Sequence, residues 1–318
     1  IHSTGALTER GYLVATAMML AISAINIFSL RWLMRCNNIL TAMKIIIPIV
    51  VCIIIGMQFF SVKDIIHPGH SSFMPFGWHG VFSAISTGGI VFAFNGFKQA
   101  CEMAGEAKNP TKSIPFAILG SILLTLLIYL LLQITFLSSL TPHNLINGFK
   151  HLQLQHANSP LSAILAQDKL TSLNSLLYIG AIIGPLAAGL MYMGSASRTL
   201  YGKSKNGYLP ELFQILTPQG NPIFAILVTF AFGMFIFAPL PGWNRLVSFL
   251  TSLMAITYGI APVCLLTLRK QLPNQPRPFK LPFGTLWANL AFFICNSMTY
   301  FSGWQIISKL TIALLIGL

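Results

Sequence analysis

The stretch AFNGFKQACEMAGEAKNPTKSIP, residues 93–115, decides the fold, because it interrupts an apolar run that is long enough to span a membrane. The run VFSAISTGGIVFAFNGF at 81–97 ends with Asn95-Gly96 between two phenylalanines. Asn-Gly is a turn dipeptide, since both residues tolerate positive φ. In lipid, a helix break is tolerated where the freed backbone groups line a cavity or meet a ligand. The stretch therefore predicts a discontinuous span, with a kinked packing helix that binds nothing as the alternative.

A break at this place creates two half-helix ends inside the bilayer. The second half is expected to begin near Phe97, where unpaired N–H groups with a partial positive charge would attract a carboxylate. The first half is expected to end near Ala93 and to offer carbonyl groups to a cation or an amino group. One break thus supplies both poles of a site for a zwitterion, and discontinuous spans are typical of secondary transporters.

The composition places the chain in a membrane, because 55% of its 318 residues are hydrophobic and only 8% are charged. A soluble domain carries about 25% charged residues. Apolar segments of about 20 residues are long enough to span a bilayer, and backbone groups in lipid must bond internally, so we predict helices and an all-α membrane protein. The predicted spans are 12–30, 39–60, 80–105, 114–138, 173–200, 222–241, 245–268 and 284–307, with a partial span at 310–318.

The basic residues are distributed unequally between the two predicted sides of the membrane. If each span switches sides, six of the nineteen Lys and Arg residues fall on one side, namely Arg10, Lys63, Lys150, Lys169, Arg245 and Lys309, and thirteen on the other. The side with the excess is predicted to be cytoplasmic. The net charge of +13 therefore indicates a lipid bilayer with anionic head groups as the partner rather than nucleic acid.

The two ends predict a piece of a longer protein, since the chain begins with Ile1 and stops at Leu318 inside a new apolar run. We expect residues 1–318 to form a single transmembrane domain that is truncated at both ends. The long outer loop 139–172 contains PLSAILAQ, which is expected to form a small helix over the outer mouth.

Enzyme and channel functions are disfavoured by the polar residues. Hydrolysis would need a nucleophile with its base, paired carboxylates or a metal site, and no span carries two acidic residues deep within it. All seven histidines fall in predicted outer loops, and the five cysteines show no metal-ligand spacing, so no metal or cofactor is expected. The sequence shows no filter loop or ring of like charges.

Three motifs resemble those of the amino acid–polyamine–organocation transporters, and they occur in that family's order. The first is GFKQACEMAGEAKNPTKSIPFAI, which is similar to the signature that follows the broken sixth span. The second is SRTLYGKSKNGYLPELFQILTPQGNPI at 197–223, and the third is RPFKLP at 277–282. The first motif looks most like bacterial members that are aspartate–proton symporters.

The resemblance implies a partial inverted-repeat bundle of the 5+5 type, in which the predicted spans are the fourth to the eleventh of twelve. Family members hold their substrate between the broken first and sixth spans. The implied substrate-binding residues are Ile90, Ala93, Phe94, Asn95, Gly96, Phe97 and Lys98. The implied function is secondary active amino acid uptake in the bacterial inner membrane, with an exchanger or a non-transporting amino-acid sensor on the same fold as alternatives.

Lys44 and Ser195 are the implied proton-coupling residues, with sodium as the less favoured ion. Some proton-coupled relatives carry a lysine at the place of Lys44, about six residues or roughly 9 Å inside its span. The alternative is that Lys44 snorkels to the cytoplasmic face. Ser195 corresponds to a region near the coupling-ion site, although serines in spans often bond back to their own helix. In the tenth span of the family, Thr251, Ser252 and Tyr258 could reach the cavity.

Lys98 departs from many relatives, which have an acidic or small residue at this position. A basic residue beside the break would recognise an acidic substrate side chain. The alternative is an ion pair with Glu102, one turn further along the same helix face.

Overall fold

A computed structural model describes residues 8–28, 30–59, 76–86, 89–140, 159–167, 171–236, 243–277, 279–304, 307–308, 311–312 and 315. The regular structure of these residues is helical, apart from one isolated antiparallel bridge between Leu216 and Pro222. The helices are α1 Glu9–Phe28, α2 Leu30–Phe59, α3 Gly77–Ser86, α4 Ile90–Ala93, α5 Lys98–Glu102, α6 Pro110–Ser138, α7 Pro160–Gln167, α8 Thr171–Lys205, α9 Ile223–Ile236, α10 Trp243–Gln271 and α11 Gly284–Phe301.

Five stretches of helix in the described part of the chain are long and apolar enough to cross a membrane. They are Glu9–Phe28, Met34–Gln58, Pro110–Ser138, Ser172–Lys205 and Leu250–Gln271, and Ile223–Phe235 is a shorter apolar helix. Such helices expose side chains that a soluble protein would bury: in α6, Phe116 is 80% exposed and Leu127 is 64% exposed. Lipid tails are as apolar as these side chains, so the exposure fits a bilayer. The prediction of an all-α membrane protein is confirmed.

Helix ends differ from the predicted spans where a helix continues past its apolar part. Helix α2 begins at Leu30 rather than at 39, and α8 ends at Lys205 rather than at 200. The backbone hydrogen bonds of a helix continue past the polar residues at the membrane surface. The apolar composition that defines a predicted span ends at those residues.

The chain divides into two compact units. The first unit contains Ile1–Val14, Phe76–Leu119 and Met234–Leu318, and the second contains Ala15–Pro75 and Gly120–Gly233. Whether the chain is one functional domain stays a prediction.

In the first unit, α10 packs along α11. A Cβ added at Gly259 would lie 3.5 Å from Cys295 Cβ, so the two helices approach closely there. Ser252 Oγ donates a hydrogen bond of 2.8 Å to Ser302 Oγ. Helix α3 joins them through the stacked rings of Phe82 and Phe301, whose centroids are 4.9 Å apart.

The motif RPFKLP closes the end of α10. Arg277 Nη2 donates hydrogen bonds to the carbonyl oxygens of Leu268, at 3.3 Å, and Leu272, at 2.7 Å. The last carbonyl groups of a helix lack partners within it, so a guanidinium that reaches back to them acts as a cap. The structure thus gives the arginine of this motif a local role.

In the second unit, α2 packs against α8 over a buried apolar cluster. Val51 and Ile55 are fully buried in it, and Ile47 lies 3.0 Å from where a Cβ at Gly180 would stand. The small helix predicted in PLSAILAQ is present as α7, and Ser162 Oγ ties it to α8 by donating a hydrogen bond of 2.9 Å to Asn174 Oδ1. Whether α7 covers the outer mouth stays a prediction.

The motif at 197–223 folds into a hydrogen-bonded link between α8 and α9. Ser204 Oγ donates to the carbonyl oxygen of Pro210 at 2.7 Å, and Gln214 Nε2 donates to the carbonyl oxygen of Ser204 at 3.1 Å. The buried Asn221 donates through Nδ2 to the carbonyl oxygen of Ile27 at 3.1 Å, which fixes this link to the end of α1.

Candidate functional site

The third predicted span is interrupted where the sequence predicts. Helix α4 ends at Ala93, α5 begins at Lys98, and the residues between them form a turn. Gly96 has φ +121°, a conformation that residues with a side chain rarely adopt. The predicted discontinuity at Asn95-Gly96 is therefore present in the fold.

Backbone hydrogen bonds close tightly on both sides of this turn. Before the turn they run from Phe94 N to Val91 O at 3.2 Å and from Asn95 N to Phe92 O at 3.1 Å. After it they run from Gln99 N to Gly96 O and from Ala100 N to Phe97 O, both at 3.3 Å. Within the described residues, the N–H groups of Gly96 and Phe97 make no backbone hydrogen bond. Two donors are thus left at the break.

The second half-helix begins at Lys98, next to the predicted start at Phe97, but it is short. Helix α5 has five residues and is followed by a 3-10 turn at Ala104–Glu106. A helix dipole is the sum of aligned peptide dipoles, so one short segment contributes only a weak field. The donors of the turn itself, at Gly96 and Phe97, are therefore the more important feature for an anionic group.

A second departure from helical backbone, at Gly89, precedes the first and was not predicted. Helix α3 ends at Ser86, and Gly89, at the start of α4, has φ +90°. A glycine pair such as Gly88-Gly89 does not by itself predict a break, because glycine is common in spans as a packing residue. A Cβ at Gly89 would lie 3.5 Å from Val247 Cγ1, so Gly89 combines a special backbone conformation with a close approach to α10.

Tyr258 of α10 contacts the break directly. Its hydroxyl donates a hydrogen bond of 2.5 Å to Asn95 Oδ1, and its ring centroid lies 5.1 Å from that of Phe97. The other two tenth-span candidates make different bonds: Thr251 Oγ1 donates to its own helix at Val247 O, and Ser252 binds Ser302. Asn95 and Tyr258 are 163 residues apart in sequence, so no local spacing could select the tyrosine.

Gln99 is a buried polar residue that the sequence analysis did not select. Its side chain lies one residue after Lys98 and is only 6% exposed. Neither Oε1 nor Nε2 has a hydrogen-bond partner among the described residues. A buried polar group without a partner is rare in native structures and costs about 1–3 kcal/mol. The signal in the sequence was an uncharged polar residue inside an otherwise apolar and charged helix face.

Lys98 forms the ion pair that was one of its two predicted roles. Its Nζ lies 3.1 Å from Glu102 Oε1, with side chains that are 39% and 23% exposed. The value of about 0.3–0.5 kcal/mol for a pair at this spacing applies to side chains fully exposed to water, whereas this pair is half-buried. A role of Lys98 toward a substrate stays a prediction.

The remaining predicted substrate residues lie on both faces of the interrupted segment. Ile90 and Ala93 are exposed within the chain, whereas Phe94, Asn95, Gly96 and Phe97 are half-buried. They are contiguous in sequence, so the chain itself brings them together, and their contact with a substrate stays a prediction.

Lys44, in the second unit, lies in the middle of α2. The helix is continuous on both sides of Lys44. Along its axis, Lys44 lies about 9 Å from the polar Asn38 and about 21 Å from the first helical residue, Leu30. The side chain is exposed and lines a cavity of about 550 Å³ whose walls also include Tyr129 and Gln133. The described residues include no carboxylate within ion-pair distance of Lys44.

Ser195 is also in the second unit but does not belong to the described lining of that cavity. It is 2% exposed, and its carbonyl oxygen accepts a hydrogen bond of 3.0 Å from Thr199 Oγ1. The neighbouring Ser197 bonds back to its own helix at Gly194 O, as serines in spans often do. The coupling role of Ser195 stays a prediction.

The described part of the chain contains no group of three His, Cys, Asp or Glu residues that could hold a metal ion. The polar groups at the break are instead backbone N–H groups, carboxamides, a phenol and one ion pair. Such groups can bind a small polar solute without any chemical conversion.

Comparison with known proteins finds relatives that agree with the resemblance carried by the three motifs. The model of a family described as amino acid permease matches residues 4–316. The chain is 34% identical to the glutamate/serine transporter AimA of Bacillus subtilis over 99% of the chain, and 30% identical to the aspartate-proton symporter of the same organism over 95%. It is 25% identical to the branched-chain amino acid permease BcaP of that organism over 96%.

The chain spans 58% of the length of each of the first two relatives. The resemblance seen in the three motifs therefore extends along nearly the whole chain, and its family is one of transporters rather than enzymes. This family and the five helices of membrane-spanning length among the described residues indicate a multi-pass plasma-membrane protein. From the interrupted span, the three motifs and these matches, we conclude that the chain belongs to the amino acid permease family.

Proposed function

We propose that the full-length protein is a secondary active amino acid transporter that takes up its substrate with protons. The observation that carries the proposal is the interrupted segment between α4 and α5, where Gly96 and Phe97 leave two N–H donors without a backbone acceptor in the stretch 80–105 that the sequence predicts to be a membrane span. In lipid, such donors need a partner that arrives with the solute. The carboxylate of an amino acid is an acceptor of the required kind.

The proposed substrate carries an oxygen-bearing side chain, with glutamate, aspartate and serine as the first candidates. The names of two relatives that match nearly the whole chain support this class, since one is a glutamate/serine transporter and the other an aspartate-proton symporter. Lys98 supports the acidic members of the class, because its ammonium group stands at the start of α5, beside the break, and carries the charge that pairs with a carboxylate.

Uptake into proteoliposomes tests the proposal. The full-length protein is reconstituted, an inward proton gradient is applied, and radiolabelled glutamate uptake is measured with aspartate, serine or leucine as competitor. We expect accumulation that collapses when a protonophore is added, and stronger competition by aspartate and serine than by leucine. Binding of an amino acid without any flux would instead favour the sensor, and accumulation that survives the protonophore but requires sodium would reject proton coupling.

We further propose that Lys44 carries the coupled proton. It lies in mid-helix beside a mostly apolar cavity whose walls include the polar side chains of Tyr129 and Gln133, and no described carboxylate holds it permanently charged. An ammonium group that loses its proton on one side of the membrane and regains it on the other couples proton movement to transport. Ser195 is proposed to support this step from α8.

Replacing Lys44 with Met removes the titratable group and keeps the length of the side chain. We expect Lys44→Met to abolish pH-driven accumulation while exchange of internal for external glutamate continues, because exchange needs no net proton movement. Lys112→Met, at an exposed position of α6, is the matched control and should retain both activities. If Lys44→Met accumulated glutamate in response to the proton gradient as well as the wild type, the coupling role would be rejected.

A further inference from the structure

We infer that Tyr258 is a positioning residue of the interrupted segment, which holds the Asn95 carboxamide in the orientation that a substrate carboxylate requires. The inference rests on the proposed transport function and deepens it by adding a residue of α10 to the site. The juxtaposition that carries it is the phenol of Tyr258 against both Asn95 and Phe97, the two neighbours of Gly96.

The turn at Gly96 depends on its surroundings for a fixed shape. Gly96 has no side chain, and a Cβ placed there would meet nothing within 4 Å. Glycine also has the largest conformational freedom to lose on folding. Packing at Gly96 itself therefore cannot hold the turn, and its flanking residues must be held instead.

Tyr258 holds these flanking residues through two different interactions. Its hydroxyl donates to Asn95 Oδ1 on one side of Gly96, and its ring packs at a tilt of 45° against Phe97 on the other side. An aromatic pair at a centroid distance of 5.1 Å lies within the favourable range. A single side chain thus fixes both ends of the turn.

Helix α10 is well suited to provide this support. Its Val247 approaches Gly89, at the start of α4, while Tyr258 contacts the turn after α4. The two residues are eleven positions apart, or about 16 Å along the helix axis. The same helix therefore contacts α4 at its start and the turn that follows α4.

The hydrogen bond has a chemical consequence for the site. An amide has one acceptor end and one donor end, so the bond from Tyr258 to Oδ1 turns the Nδ2 end of Asn95 away from the phenol. A carboxylate is an acceptor-only group and pairs with such a donor end. Removal of the phenol hydroxyl takes away this bond to Oδ1 and, with it, the constraint that Tyr258 places on the carboxamide.

The test uses Tyr258→Phe, which removes the hydroxyl and keeps the ring. In proteoliposomes with the full-length protein, we expect the KM for glutamate to rise about three- to ten-fold, the range for one lost hydrogen bond, with little change in maximal rate. In Asn95→Ala the carboxamide is already absent, so adding Tyr258→Phe should cause no further rise. A purely structural contact would lower the amount of folded protein without this dependence on Asn95.

Thr257→Val is the matched control, since it removes a hydroxyl from the residue that precedes Tyr258. The Thr257 hydroxyl donates to Leu253 O in its own helix. Thermal unfolding is measured for every variant, and Asn95→Asp provides a second route if Tyr258→Phe does not fold. Aspartate keeps an acceptor for Tyr258 but replaces the donor end with a negative charge, so glutamate affinity should fall.

The inference would be overturned if Tyr258→Phe matched Thr257→Val in KM, or if its effects and those of Asn95→Ala added fully. It would also be overturned if Asn95→Asp left glutamate affinity unchanged. A wild-type protein that transports no amino acid would reject the proposed function itself, which is a different outcome from normal transport by Tyr258→Phe.

Discussion

Gly96 is the residue on which the interrupted span depends most directly. Its φ of +121° is strained for any residue with a Cβ, although the space around it is open. The requirement for glycine is therefore one of backbone conformation and not of packing. This distinguishes Gly96 from Gly180, where a Cβ would press on Ile47 at 3.0 Å.

Replacing Gly96 with Ala should destabilise the turn by about 1–3 kcal/mol, the cost of holding a residue in a sparsely populated backbone conformation. We expect a lower unfolding temperature and a clear loss of glutamate uptake by the full-length protein. Gly105→Ala is the control, because Gly105 also has open space around it but no positive φ. Equal behaviour of the two variants in both measurements would show that the turn does not need its observed conformation.

Single residues could be predicted from the sequence only where the signal was local. Asn95-Gly96 is a turn dipeptide in an apolar run, and the break lies there. Gly89 carried no such signal, because a glycine in a span is more often a packing residue. The contact of Tyr258 with Asn95 joins residues 163 positions apart, and only the fold reveals it.

At the scale of elements, α5 is unusual because it buries an amide that nothing in the described chain satisfies. Its Gln99 side chain is 6% exposed, and both polar atoms lack a hydrogen-bond partner among the described residues. The cost of an unpaired buried amide makes the present position of α5 less stable than its apolar contacts alone would give. An apolar side chain in place of this amide is therefore expected to stabilise α5.

Gln99→Met tests this property of α5, because methionine keeps the unbranched shape and removes both polar atoms. We expect an increase in unfolding free energy of about 1–3 kcal/mol and a higher unfolding temperature in detergent. Gln271→Met, at the exposed end of α10, should change neither. A drop in unfolding temperature for Gln99→Met would mean that the amide has a partner and that α5 is held firmly.

The helices themselves were largely predictable, since apolar length decides them in a membrane. Their ends were not, because α2 and α8 continue beyond their apolar parts and hydropathy carries no information about that extension. The division of the third span into three helical pieces was predicted only in part, as two of the pieces are short enough to escape any periodicity.

At the scale of the whole molecule, the chain combines an interrupted span in one unit with a mid-helix lysine in the other. Most of its cationic residues are assigned to the predicted cytoplasmic side, and the proposed site is built from neutral groups and one ion pair. The chain spans about six tenths of the length of AimA and BcaP. Transport by the full-length protein is accordingly the level at which the account must be tested.

Substrate protection of a single cysteine tests the central claim, that an amino acid binds at the interrupted segment, most directly. The exposed Ala93 is changed to Cys in the full-length protein, and Gly105→Cys serves as an exposed control outside the turn. All native cysteines are replaced first, which in this chain are Cys36, Cys52, Cys101, Cys264 and Cys295. The rate of maleimide labelling is then measured with and without saturating glutamate, aspartate or serine.

The account predicts that at least one of these amino acids slows labelling at position 93 several-fold and leaves the rate at position 105 unchanged. Transport-competent protein in which no amino acid alters the labelling rate at position 93 would contradict the claim, because the substrate would then bind elsewhere.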